Sequence, residues 1–124
     1  MTKLSSIRLE LARDHEFPEG SNSRGYDLIA PLDPQGHLDL DAWKKARERC
    51  RVKRFWHGQP DEIGHLVHKR GGVWAFDYDP KSDADDETGF KLDKHIFKPG
   101  EYISFRERDG AMRTFRVRSV IELE

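Results

Sequence analysis

Apolar and polar residues alternate with a period of two through most of this chain, the signature of half-buried strands. Ile7, Leu9 and Leu11 alternate with Arg8, Glu10 and Ala12, which predicts a strand over roughly 5–13. Residues 14–24, DHEFPEGSNSR, read as loop. Tyr26, Leu28, Ala30 and Leu32 alternate as a second strand, closed by Pro31. Asp33-Pro34-Gln35-Gly36 follows, with Asp, Pro and Gly at the first, second and fourth positions of a type I turn. A third strand is expected over Arg51 to His57, with Val52 and Trp56 on one side and Lys53 and Phe55 on the other. Gln59-Pro60-Asp61-Glu62 is read as its break.

Two hairpins complete the pattern. Ile63–Arg70 and Val73–Asp79 are expected to pair across a type I′ turn at Gly71-Gly72. That register sets Ile63, His65 and Val67 on the face of Trp74, Phe76 and Tyr78. After a short strand near Phe90–Phe97, Pro99-Gly100 fits a type II turn leading into the last hairpin. Ile103 and Phe105 point one way there, and Ser104, Arg106 and Arg108 the other. On the return strand Phe115, Val117 and Ile121 share a face, opposite Thr114, Arg116 and Arg118. Opposed residues of an antiparallel pair lie on one face, so a two-residue loop at Asp109-Gly110 would set Phe105 against Thr114. A three-residue loop, Arg108-Asp109-Gly110, with Gly110 in the left-handed region, pairs Ile103 with Phe115 instead.

One helical pattern stands out, about 40–49, capped by Asp39 or Asp41, with Leu40, Trp43, Ala46 and Cys50 near one face. Many short strands with Gly/Pro turns imply a barrel or sandwich. The expected fold is mainly β (or α+β): one antiparallel, barrel-like domain over 1–124, of seven to eight strands with the single helix.

Composition narrows the setting. At 124 residues the chain is long enough for its own core, and 36% of it is charged with a net charge of −1. Bulk attraction to nucleic acid or membrane is therefore excluded as a driving force. The single cysteine, Cys50, permits no internal disulfide and suits a reducing compartment. No stretch reads as a signal peptide or membrane span, so a cytoplasmic location and no membrane partner are expected.

Three groups of residues carry candidate chemistry. Bases crowd Lys44 to Arg54, and Arg106, Arg108, Arg116 and Arg118 line the outer face of the last hairpin, with Phe55, Trp56 and Tyr102 interleaved. Basic strands with exposed rings bind single-stranded nucleic acid, phosphates meeting Arg or Lys and bases stacking on aromatics. Arg51, Lys53, Arg54, Arg106, Arg116 and Arg118 are the candidate contacts, against the plainer reading of a solvated face that protects strand edges. The second group is histidine: His57, His65, His68 and Asp77 form a candidate metal or acid–base set. His65 and His68 are three apart, however, and on a strand point to opposite faces. The third is the oxygen-rich run Asp77, Asp79, Asp83, Asp85, Asp86 and Glu87. It departs from an EF-hand loop at Lys81 and Ser82, which favours a solvated loop. Cys50 reads as packing on the helix's apolar face.

Phe97-Lys98-Pro99-Gly100-Glu101-Tyr102-Ile103 resembles the F-x-x-G-Q-Y motif, followed by Val or Ile, that opens a strand of the ferredoxin-reductase FAD barrel. That family continues with R-x-Y/F-S/T, whose Arg meets the flavin phosphate. Arg113-Thr114-Phe115-Arg116 has arginine in the last place, the spacing is shorter and there is no room for a nicotinamide domain. The flavin is not carried over, and no cofactor is expected. The chain as a whole resembles a family of small bacterial proteins of unknown function, which implies a cytoplasmic bacterial domain. The expected class is a non-enzymatic binding module for single-stranded nucleic acid or another protein. The competing expectation is a small metal- or cofactor-using enzyme with a histidine-containing pocket.

Overall fold

A computed structural model of the chain describes residues 3–70, 72–79, 92, 95–107 and 110–123. Among them run seven strands: β1 (Leu4–Leu11), β2 (Ser21–Pro31), β3 (Arg51–Trp56), β4 (Gln59–Lys69), β5 (Val73–Asp79), β6 (Tyr102–Arg106) and β7 (Met112–Glu122). They form one sheet in the order β5-β4-β3-β2-β1-β7-β6, each neighbouring pair antiparallel. The sheet curls into a half-barrel. Phe76 on edge strand β5 and Phe105 on edge strand β6 have ring centroids 5.9 Å apart. Both rings pack on Tyr26 of β2, at 5.2 and 5.4 Å. Such tilted and edge-to-face pairs are the favoured aromatic geometries. The concave face thus closes on its own side chains, with Ile7, Leu9, Leu28, Phe115 and Val117 fully buried.

The helix α1 spans Leu40–Lys45, and the Asp39 carboxylate accepts from the Ala42 amide at 3.1 Å as its N-cap. It stops short of the expected 49: the chain breaks at Ala46 and a 3₁₀ turn over Arg47–Arg49 carries it to Cys50. Tertiary contacts decide this. Trp43 packs edge-to-face on Trp74 at 5.5 Å, and its indole Nε1 donates to the Leu66 carbonyl at 2.9 Å. The turn then brings Cys50 to the start of β3, where its carbonyl accepts from the Leu66 amide.

The register of the last hairpin is the expected one, while Arg108 and Asp109 of its loop lie outside the described residues. Ile103 pairs with Phe115. Glu107 exchanges backbone bonds with Ala111 and Gly110, and Gly110 has φ +89°. Pro99-Gly100 forms its turn, with the Glu101 amide on the Lys98 carbonyl and Gly100 at φ +93°.

Four readings need correction. In the β4–β5 hairpin Lys69 pairs with Val73, so three residues, not two, make the loop. A one-residue slip exchanges the faces: Leu66 and His68, not His65 and Val67, share the inner face with Phe76 and Trp74. Second, β2 begins at Ser21 inside the expected loop, because Leu11 pairs with Ser21 after Glu10 has paired with Gly25. That irregularity accommodates polar residues that carry no alternation. Third, β3 turns at His57-Gly58, with Trp56 opposite Gln59, and Gln59–Glu62 is strand rather than break. Fourth, a bulge at Arg118 resets the parity of β7, so Ile121 is 61% exposed while Val120 turns inward opposite Ile7. The predicted strand near Phe90–Phe97 falls largely outside the described residues, and Phe97 itself lies in no strand.

Two glycines are required by close approach. A Cβ on Gly25 would lie 1.9 Å from the Leu9 carbonyl oxygen, and one on Gly64 would lie 2.1 Å from that of Asp77. Gly25 also clears the space that the Phe55 ring occupies across the strand pair.

Candidate nucleic-acid interface

The inner and outer faces of the sheet sort the six candidate cations. Arg54 shares strand parity with Val52 and Trp56, and pairs with inward-facing Tyr26. Its guanidinium is therefore inside the half-barrel, where Nε donates to Glu107 Oε2 at 3.2 Å. Glu107 is 4% exposed. It also accepts from the Tyr26 hydroxyl and, at 2.6 Å, from Arg113 Nη1. Arg113 reaches on to Glu16 Oε1 at 3.1 Å. Trp56 lies beneath the cluster, its ring centroid 4.2 Å from the Arg54 guanidinium and 5.3 Å from that of Arg113. Burial, then Tyr78 and Glu107, hold the Tyr26 phenol well above its ordinary value. Burial alone would lower the Arg54 pKa, but Tyr26 and Glu107 outweigh it and hold it raised. Arg54 is thus committed to neutralising an interior carboxylate.

Lys53 and Arg51 lie on the outer face but are also engaged. A row of alternating sign crosses the sheet. Arg118 lies 3.8 Å from Glu10, Glu10 3.2 Å from Arg8, Arg8 3.2 Å from Asp27, and Asp27 3.6 Å from Lys53. The Arg8 guanidinium covers the Phe55 ring at 4.1 Å. Arg51 Nη1 lies 3.3 Å from His65 Nε2.

The remaining candidates gather on the outer face of β6 and β7. Along this hairpin three opposed pairs face outward: Tyr102 with Arg116, Ser104 with Thr114, and Arg106 with Met112. Tyr102 is 62% exposed. Arg116 has no ion-pair partner among the described residues, and Arg106 spends one donor on the Gly110 carbonyl at 2.7 Å. Beside this face runs a groove of about 870 Å³, with Glu10, Arg13, Glu19, Tyr102, Arg116 and Arg118 among its lining residues together with Thr114. Its far wall is the β1–β2 loop. Asp14 organises that loop by accepting from the Phe17 amide at 2.7 Å, and Phe17 anchors it edge-on to Trp56 at 6.4 Å.

The histidines are spread out. His57 is exposed in the β3–β4 turn, His65 faces outward opposite Asp77, and His68 faces inward with its ring 4.7 Å from Trp74. Among the described residues no group of three or more His, Cys, Asp or Glu side chains is placed to hold a metal ion. Of the acidic run, Asp83, Asp85, Asp86 and Glu87 lie outside the described residues. Cys50 is fully buried, and desolvation pushes its thiol up to about 11. No helix among the described residues is long and apolar enough to cross a membrane.

The signals for the interior cluster were present in the sequence, since Arg54, Glu107 and Arg113 share parity with apolar neighbours on their strands. Arg13 carried no such signal, because it joins the groove through the path of a loop.

No family model, no curated protein and no solved structure matches the chain.

Proposed function

We propose that this protein is a binding module that takes single-stranded nucleic acid on the outer face of β6–β7 and in the adjoining groove. One observation carries the reading. An exposed tyrosine stands directly opposite an arginine with no ion-pair partner among the described residues, flanked by Arg106 and Arg118 on the same face. A ring with a free face stacks any base, worth about 1–3 kcal/mol per base, and arginines beside it meet the phosphates. The contact set is narrower than the sequence implies: Tyr102, Arg106, Arg116 and Arg118, joined by Arg13, without Arg51, Lys53 or Arg54.

Charge is small in total, so binding must be local and salt-sensitive. Four phosphate contacts on a single strand, one for each arginine, give a slope of about −3 in log K against log salt, or roughly a fiftyfold loss between 50 and 200 mM. The test is fluorescence anisotropy with a short mixed-sequence RNA at both salts. Arg116→Gln is expected to lower affinity and flatten that slope by about 0.7. Affinity indifferent to Arg116→Gln and to Tyr102→Ala would end the reading.

A further inference from the structure

We infer that this face selects RNA over DNA through the Ser104–Thr114 hydroxyl pair, an inference that rests on the binding reading above. Ser104 Oγ and Thr114 Oγ1 lie 2.7 Å apart on the solvent side of the sheet, between the Tyr102/Arg116 pair and the Arg106/Met112 pair. Thr114 also lines the groove.

The chemistry of that pair is distinctive. Two hydroxyls bring two donors and four lone pairs. One donor and one lone pair are spent between them, which leaves one O–H and three lone pairs. The pair can therefore donate and accept at a single spot. A ribose 2′-hydroxyl needs the same combination, and it is the group by which a protein distinguishes RNA from DNA. The surrounding cations offer donors only, which suits phosphate and not the choice between sugars. None of the three outward pairs contains a carboxylate to repel the backbone.

Position supports the assignment. Successive residues on one face of a strand are about 7 Å apart. A base stacked on Tyr102 carries its ribose beside the ring rather than above it, within reach of a neighbouring pair on the same face. Along β6 the next pair is Ser104/Thr114, and beyond it stands Arg106. Ring, hydroxyl pair and guanidinium thus succeed one another in the order of base, sugar and phosphate. A cross-strand Ser–Thr bond also steadies an edge hairpin, so the experiment must separate the two roles.

It uses the wild-type protein with three oligonucleotides of one base sequence: the ribo form, the deoxy form carrying uracil in place of thymine, and the 2′-O-methyl form. The ribo form is expected to bind roughly threefold to tenfold tighter than the deoxy form, the value of one hydrogen bond. The 2′-O-methyl form, which keeps an acceptor but loses the donor, should fall between or match the deoxy form. Ser104→Ala with Thr114→Val should bring the ratio of ribo to deoxy affinity to about one, whatever it does to the affinity for both, with the melting curve read alongside to separate the structural role. Equal affinity for ribo and deoxy forms overturns the inference and leaves the binding reading standing. A preference that survives the double substitution also overturns it. Absence of binding to all three removes the reading and the inference together.

Discussion

Replacing Glu107 by Gln tests the interior cluster most sharply. The substitution preserves volume and one carbonyl acceptor but deletes a carboxylate charge that both Arg54 and Arg113 contact. Their side chains are 14% and 9% exposed. Each keeps a substitute of lower quality. Arg54 keeps Glu62 at 3.9 Å, and Arg113 keeps Glu16, which is 62% exposed. Removing one partner of a buried pair costs about 3–5 kcal/mol, because the remaining charge stays out of water without compensation. Two cations that each lose a short contact to a buried carboxylate, with residual partners on each, place Glu107→Gln within that range, against a total stability of about 5–15 kcal/mol for a domain. Melting should fall by roughly 10–20 °C at this chain length. Glu62→Gln supplies the control, since that pair is long and half-open, and should cost less than about 1 kcal/mol. Urea unfolding followed by tryptophan fluorescence measures both. A loss below about 1 kcal/mol for Glu107→Gln would refute the claim that its carboxylate neutralises the two guanidinia.

The remaining predictions concern the same core and its margins. Tyr26 has a raised folded pKa, so above the ordinary tyrosine value the unfolded chain has released a proton that the native state still holds. Stability should accordingly decline as pH climbs past about 10, and Tyr26→Phe should flatten that decline. Cys50, at about 11 against an ordinary 9.0, should hold about a hundredfold less thiolate at pH 8, so disulfide-exchange reagents should label it only at the rate of unfolding. Gly25→Ala drives a methyl into the Leu9 carbonyl and should cost roughly 3 kcal/mol or more, measured by thermal unfolding. Asp39→Ala removes the α1 cap and should cost about 1 kcal/mol by urea unfolding.

Alternation made the strands legible because one face of each is buried and the other wet. It failed where backbone irregularity changes the count. The bulge at Arg118 turned Ile121 outward, and the three-residue loop after Lys69 exchanged the faces of β4. In the last hairpin, pairing two apolar faces demanded an odd loop, and the same parity argument applied to Leu66 and Phe76 would have corrected the other. The site was legible in part. Arg106, Arg116 and Arg118 do share an outward face with Tyr102, as their spacing implied. Arg54 does not, although its parity with Val52 and Trp56 placed it inside. What no local pattern could supply was the pairing of Arg54 with Glu107, 53 residues further along the chain, which makes that inward position tenable.

The most direct measurement is an amide chemical-shift titration of the labelled protein with a short RNA, at low and at physiological salt. Shifts concentrated on 102–106 and 112–118 and along the β1–β2 loop, weakening as salt rises and absent from Lys53 and Arg54, are the predicted result. Silence at low salt, or shifts centred on 51–57 instead, would contradict it.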